Sequence, residues 1–95
     1  MRKGVKITIS GKINHKLFDP FILERTSKLG IQGSLQVFDN NKLILYAVGD
    51  TENIEFLIDD IYGDTSSANI EELTVKPLEE EKDFRGIFRI INNRN

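Results

Sequence analysis

Val5, Ile7 and Ile9 alternate with Lys6, Thr8 and Ser10, the two-residue period of a half-buried strand. A loop is expected to follow through His15 and Lys16. Asp19-Pro20 reads as a helix start, because aspartate suits the N-cap and proline suits the first helical turn. That helix runs to about Leu29, with Gly30 as its left-handed stop. Its face is mixed, carrying Phe21, Ile22, Arg25, Ser27 and Leu29. Two strands come next, Ser34–Phe38 and Lys42–Val48, joined by a short turn at Asp39-Asn40-Asn41, where asparagine tolerates positive φ. Asp50 is placed to cap a second helix, in which Ile54, Leu57, Ile58 and Ile61 form an i, i+3, i+4, i+7 stripe ended by Gly63.

A polar loop is expected over Gly63–Ser67, a strand over Ile70–Val75 and a solvated turn over Glu79–Asp83. A closing strand over Gly86–Ile91 leaves Asn92–Asn95 as a frayed tail. The order β-α-β-β-α-β with a short extra strand predicts a ferredoxin-like α+β sandwich, an antiparallel sheet with two helices on one face. No internal repeat or linker divides the chain, so residues 1–95 are read as one domain.

Composition narrows the function classes. A net charge of −2 weighs against a nucleic-acid surface, which shows a clustered basic excess. With no cysteine there is no disulfide scaffold and no thiolate chemistry or thiolate metal site, which suits a reducing, cytoplasmic setting. Met1–Lys6 lacks the apolar run of a signal peptide, and no segment reaches membrane-spanning length, so no membrane partner is expected. His15 is the single histidine, so no histidine metal cluster forms, and no metal or cofactor is expected. Walker, dinucleotide, nucleophile-elbow and zincin patterns are all missing.

One segment carries more. Ser10-Gly11-Lys12-Ile13-Asn14-His15-Lys16-Leu17-Phe18-Asp19-Pro20-Phe21, read with Leu29-Gly30-Ile31-Gln32-Gly33, resembles the acylphosphatases, whose pattern runs G-x-V-Q-G-V-x-F-R and then L-G-L-x-G-W-V-x-N. The match runs without a gap from Gly11 to Leu43. It continues through Gly49, Ile54, Leu57, Ile61, Gly63, Ala68, Ile70, Leu73 and Val75 to Phe84-x-Gly86 and Phe88-x-Ile90. The resemblance implies a cradle of loop N–H groups and an arginine fork for the phosphoryl oxygens, with an asparagine positioning water. Backbone N–H groups at a helix start and a bidentate arginine are the physical basis of such a cradle.

In this chain the position of the family's arginine is occupied by Asp19 and that of its asparagine by Val37. Asp19 would repel a phosphate and, as a helix cap worth about 1 kcal/mol, would occupy the N–H groups an anion needs. Val37 shares a strand face with Leu35 and is read as core. The expectation is an acylphosphatase-like protein without efficient acyl-phosphate hydrolysis, acting as a binding or interaction module. The alternatives are an active acylphosphatase with a rearranged site over Asn14, His15, Lys16, Leu17 and Phe18, and a small-molecule sensor domain. Phosphate or acyl phosphate would bind weakly at that loop, where Lys12, His15 and Lys16 form a basic cluster. If Leu43, Leu45 and Ala47 face the helices, then Ile44, Tyr46 and Val48, joined by Phe38, lie on the opposite sheet face as a surface for a protein partner or self-association.

Overall fold

The computed structural model of the chain describes residues 1–39, 41–63, 68–78 and 84–92. Along them run β1 (Arg2–Ile13), α1 (His15–Lys28), β2 (Gln32–Asp39), β3 (Lys42–Asp50), α2 (Thr51–Gly63), β4 (Ala68–Pro77) and β5 (Phe88–Asn92). Asn40 of the expected hairpin turn, the polar loop at 64–67, the charged turn at 79–83 and the tail from 93 lie outside the described residues.

The strands form one sheet in the order β4-β1-β3-β2-β5. The β1–β4, β1–β3 and β2–β3 ladders are antiparallel, and β5 runs parallel to β2. The sheet is therefore mixed rather than wholly antiparallel. β2 and β5 both run opposite to β4, so once β5 pairs with β2 the ladder between them has to be parallel. With both helices on one face, this is the ferredoxin-like α+β sandwich expected from the element order.

Alternation along the strands sorts their two faces. Val5, Ile7 and Ile9 of β1, Leu35 and Val37 of β2, and Leu43, Leu45 and Ala47 of β3 are buried in one core with the helices. Helix α2 contributes Ile54, Leu57 and Ile61, the predicted stripe, with Ile58 packed against its margin. Helix α1 contributes Phe18, Ile22 and Thr26, one residue per turn. Thr26 explains the weak pattern of α1, because a polar residue occupies the buried row. Its hydroxyl donates back to the carbonyls of Ile22 at 2.9 Å and Leu23 at 3.2 Å, so the group is satisfied where it lies. Each fully buried Ile, Leu or Phe contributes roughly 1.5–3 kcal/mol from apolar surface removed from water.

The two glycines that anchor the sequence pattern have structural work to do. Gly11, at φ +146, sits at the register shift between β1 and β4, and a Cβ there would run into the carbonyl oxygen of Asn69. Gly33, at φ +153, lies against β3, where a Cβ would meet the carbonyl oxygen of Tyr46. Both conformations disfavour any side chain, and both approaches leave no room for one. Both ends of the Gly11–Gly33 frame are thus held to glycine by backbone conformation and by close packing in the sheet. Gly30, at φ +64, follows the C-cap residue Leu29 and stops α1 as expected.

No helix among the described residues is long and apolar enough to cross a membrane.

Candidate functional site

The corner between β1 and α1 is much tighter than the sequence suggests. β1 pairs with β4 as far as Ile13, opposite Ala68, and α1 begins at His15. Only Asn14 lies between them, so His15–Phe18 form the first helical turn and not a loop. The helix start expected at Asp19-Pro20 is corrected accordingly: the N-cap is Asn14, and Pro20 is inside the helix. Asparagine caps as well as aspartate does, and an earlier start aligns Phe18 with Ile22 and Thr26 on the core face. Pro20 offers no N–H to the carbonyl of Lys16. Both residues are exposed, so solvent can serve that carbonyl.

The cap satisfies the helix start from within. The Asn14 side-chain oxygen accepts from the backbone N–H of Lys16 at 3.1 Å. The Asn14 carbonyl accepts from the N–H groups of Leu17 at 3.0 Å and Phe18 at 2.8 Å. An anion docked at this corner would have to compete with Asn14 for those donors.

Asp19 does not take part in the cap. Its carboxylate Oδ1 accepts from Nδ1 of His15, one turn earlier, at 3.0 Å, with the two side chains 23% and 13% exposed. His15 Nε2 is buried and has no hydrogen-bond partner among the described residues. The pair sits at i, i+4 on α1, a spacing visible in the sequence once the helix is known to start at His15. The remaining candidates are scattered. Lys12, Lys16 and Leu17 are exposed, whereas Phe18 is fully buried in the core. Val37 is 2% exposed and packed in the core with Leu35 and Leu43. Among the described residues no three His, Cys, Asp or Glu side chains gather as metal ligands.

On the opposite sheet face Ile44, Tyr46 and Val48 follow one another along β3, each half-buried. Polar neighbours flank them in register: Thr8 and Gln36 beside Ile44, Lys6 and Ser34 beside Tyr46. Leu78, which donates its N–H to the Gly4 carbonyl at 3.0 Å, lies over Gly4 next to Val48. Phe38 is 41% exposed at the irregularity between β2 and β3.

Sequence reasoning missed a cluster between the helices. Arg25 of α1 lies over the ring of Phe21, 5.6 Å from its centroid, and its Nε stands 3.6 Å from Oδ2 of Asp60 on α2. These three side chains, with Asp59 and Gly63, line a cavity of about 290 Å³. Nothing in local sequence joins Arg25 to Asp60, because only packing of α1 beside α2 brings them together.

Comparison with solved structures agrees with this architecture. Full-length HypF, in a phosphate- and nucleotide-bound form, superposes with a TM-score of 0.86 at 23% identity, covering 100% of this chain and 12% of HypF. The present chain therefore spans about an eighth of that protein. An acylphosphatase from Coxiella burnetii gives a TM-score of 0.81 at 18% identity, covering 94% of this chain and 92% of the other. The Bacillus subtilis acylphosphatase gives 0.82 at 14%, covering 96% and 99%. At these identities the likeness establishes the fold. A sequence search of curated proteins gave no match. The family model for acylphosphatase matches residues 5–90, from the first buried residue of β1 into β5, and the chain belongs to the acylphosphatase family.

Proposed function

We propose that this chain is an acylphosphatase-family domain that no longer hydrolyses acyl phosphates efficiently and acts by binding. The observation that carries the reading is the β1–α1 corner. A carboxylate, Asp19, stands at the position of the family's arginine and is tied to His15. The first-turn N–H groups of Lys16, Leu17 and Phe18 are taken by Asn14. A phosphate approaching here meets a negative charge in place of a bidentate cation, and donors that are already engaged. Val37, at the position of the family's asparagine, is a core residue with no polar atom on its side chain. In this reading the binding surface is the open sheet face around Phe38, Ile44, Tyr46 and Val48. The cysteine-free composition supports a cytoplasmic location.

A second reading rests on His15. An imidazole with Nδ1 on a carboxylate and Nε2 without a partner among the described residues is oriented as a general base is, so a rearranged hydrolase would use it.

Hydrolysis of an aromatic acyl phosphate tests both. The native protein is expected to match the uncatalysed rate. Asp19→Arg with Val37→Asn is expected to gain on the order of 10²-fold, the scale of one well-placed oxyanion donor. Circular dichroism of the double variant checks that the buried asparagine is tolerated. Turnover by the native protein that disappears in His15→Gln would overturn the first reading in favour of the second.

A further inference from the structure

β4 is an edge strand, with no described strand beyond it. Its free side is self-complementary. Leu78 donates to the Gly4 carbonyl, so Gly4 and Leu78 are a hydrogen-bonded pair across β1 and β4. Alternation along an antiparallel ladder then makes Lys6–Lys76, Thr8–Thr74 and Ser10–Glu72 hydrogen-bonded pairs, and Val5–Pro77, Ile7–Val75 and Ile9–Leu73 non-bonded ones. Residues of non-bonded pairs turn their backbone groups away from the neighbouring strand. The N–H and C=O of Leu73 and Val75 therefore point off the sheet edge. Pro77, which has no N–H to leave unpaired, falls at the next outward position.

We infer that β4 pairs with β4 of a second copy of this chain, antiparallel, about a two-fold axis at Thr74. In that register Leu73 of each copy stands opposite Val75 of the other, and each such pair exchanges both N–H···O=C bonds. On the helix side of the sheet this joins Leu73 to Val75, which is 39% exposed in the single chain. On the open side it places Glu72 of one copy directly opposite Lys76 of the other, twice over. Within one chain Lys76 faces Lys6 across the ladder, a like-charge pair that Glu72 of the second copy would offset. The pairing window is bounded at one end by the register shift that skips Glu71 and at the other by Pro77. Both β4 edges are consumed, so the product is a closed two-fold dimer and not a fibre. A strand pair this short makes a weak, concentration-dependent contact at the small end of interface sizes. The inference is independent of whether the domain hydrolyses acyl phosphates.

Sedimentation velocity of the full chain, from micromolar to millimolar concentration at low salt, tests it. The native protein is expected to shift from monomer to dimer over that range. Lys76→Glu sets glutamates against each other and is expected to weaken the dimer about tenfold, from two surface pairs turned repulsive. Adding Glu72→Lys to that variant restores opposite charges and is expected to recover most of the loss. Both residues are exposed, so neither change threatens the fold. A native chain that stays monomeric at millimolar concentration would overturn the proposal. So would a dimer unmoved by Lys76→Glu but lost with Tyr46→Glu, which would place the contact on the sheet face.

Discussion

Two strand-to-helix corners occupy equivalent places in the two halves of this fold, and they are closed by different means. At the first, β1 passes into α1 through Asn14, whose own side chain and carbonyl satisfy the helix start. At the second, β3 passes into α2 without an intervening residue, and Thr51 donates both its N–H, at 2.8 Å, and its hydroxyl, at 3.1 Å, to the carbonyl of Met1. One corner is self-contained and the other depends on a backbone group brought in by the edge of β1. The helices differ in the same direction. α2 has a clean apolar stripe, whereas α1 buries Phe18, Ile22 and a threonine. The contrast teaches that helix position in this domain is not set by pattern strength. The weaker helix is buried as completely as the stronger one, and its own cap closes the corner where the family resemblance places phosphate chemistry.

The largest test of that contrast is a pair of core truncations. Phe18→Ala in α1 is expected to cost about 3–5 kcal/mol and Leu57→Ala in α2 about 2–5 kcal/mol, read by chemical denaturation. Comparable losses would show that α1 is as firmly held as α2. A loss under about 1 kcal/mol for Phe18→Ala would mean the first turn of α1 is peripheral, and the comparison would fail. Next in size is the cap. Asn14→Ala is expected to cost about 1 kcal/mol and to release the Lys16 N–H. If phosphate then stabilises the variant, but not the native protein, in a thermal melt, the self-closed corner is what excludes the anion. The smallest effect concerns the His15–Asp19 pair. Asp19→Asn keeps an acceptor for Nδ1 and removes only the charge, so a change below about 0.5 kcal/mol is expected. A larger loss would show that this corner relies on the Asp19 charge more than on its cap.

Much of the fold could be read in the sequence because it rests on short-range rules. Alternation in β1 and β3 and the i, i+3, i+4, i+7 stripe of α2 assign each residue a face without knowledge of the partner. Gly30 could be recognised as a helix stop because left-handed backbone geometry is a local property, and the Gly11–Gly33 frame because its spacing matches a family pattern. The site was less legible. Whether α1 starts at Asn14 or at Asp19 is a choice between two caps of nearly equal worth, about 1 kcal/mol each, and local propensity does not decide it. Burial of the Phe18 side chain, worth roughly 1.5–3 kcal/mol, does decide it, and that burial exists only once α1 lies on the sheet.

The sequence by itself thus determined the order of elements, the buried faces of β1, β3 and α2, and the family. The tertiary structure decided where α1 begins, that Asp19 binds His15 and leaves the cap to Asn14, and that Leu78 covers Gly4 beside Val48. It also set the direction of β5, the meeting of Arg25 with Asp60, and which groups of β4 face outward. The division has one physical reason. Periodicity and backbone conformation are fixed within a few residues, whereas a choice between near-equal local alternatives is settled by contacts between segments far apart in the chain.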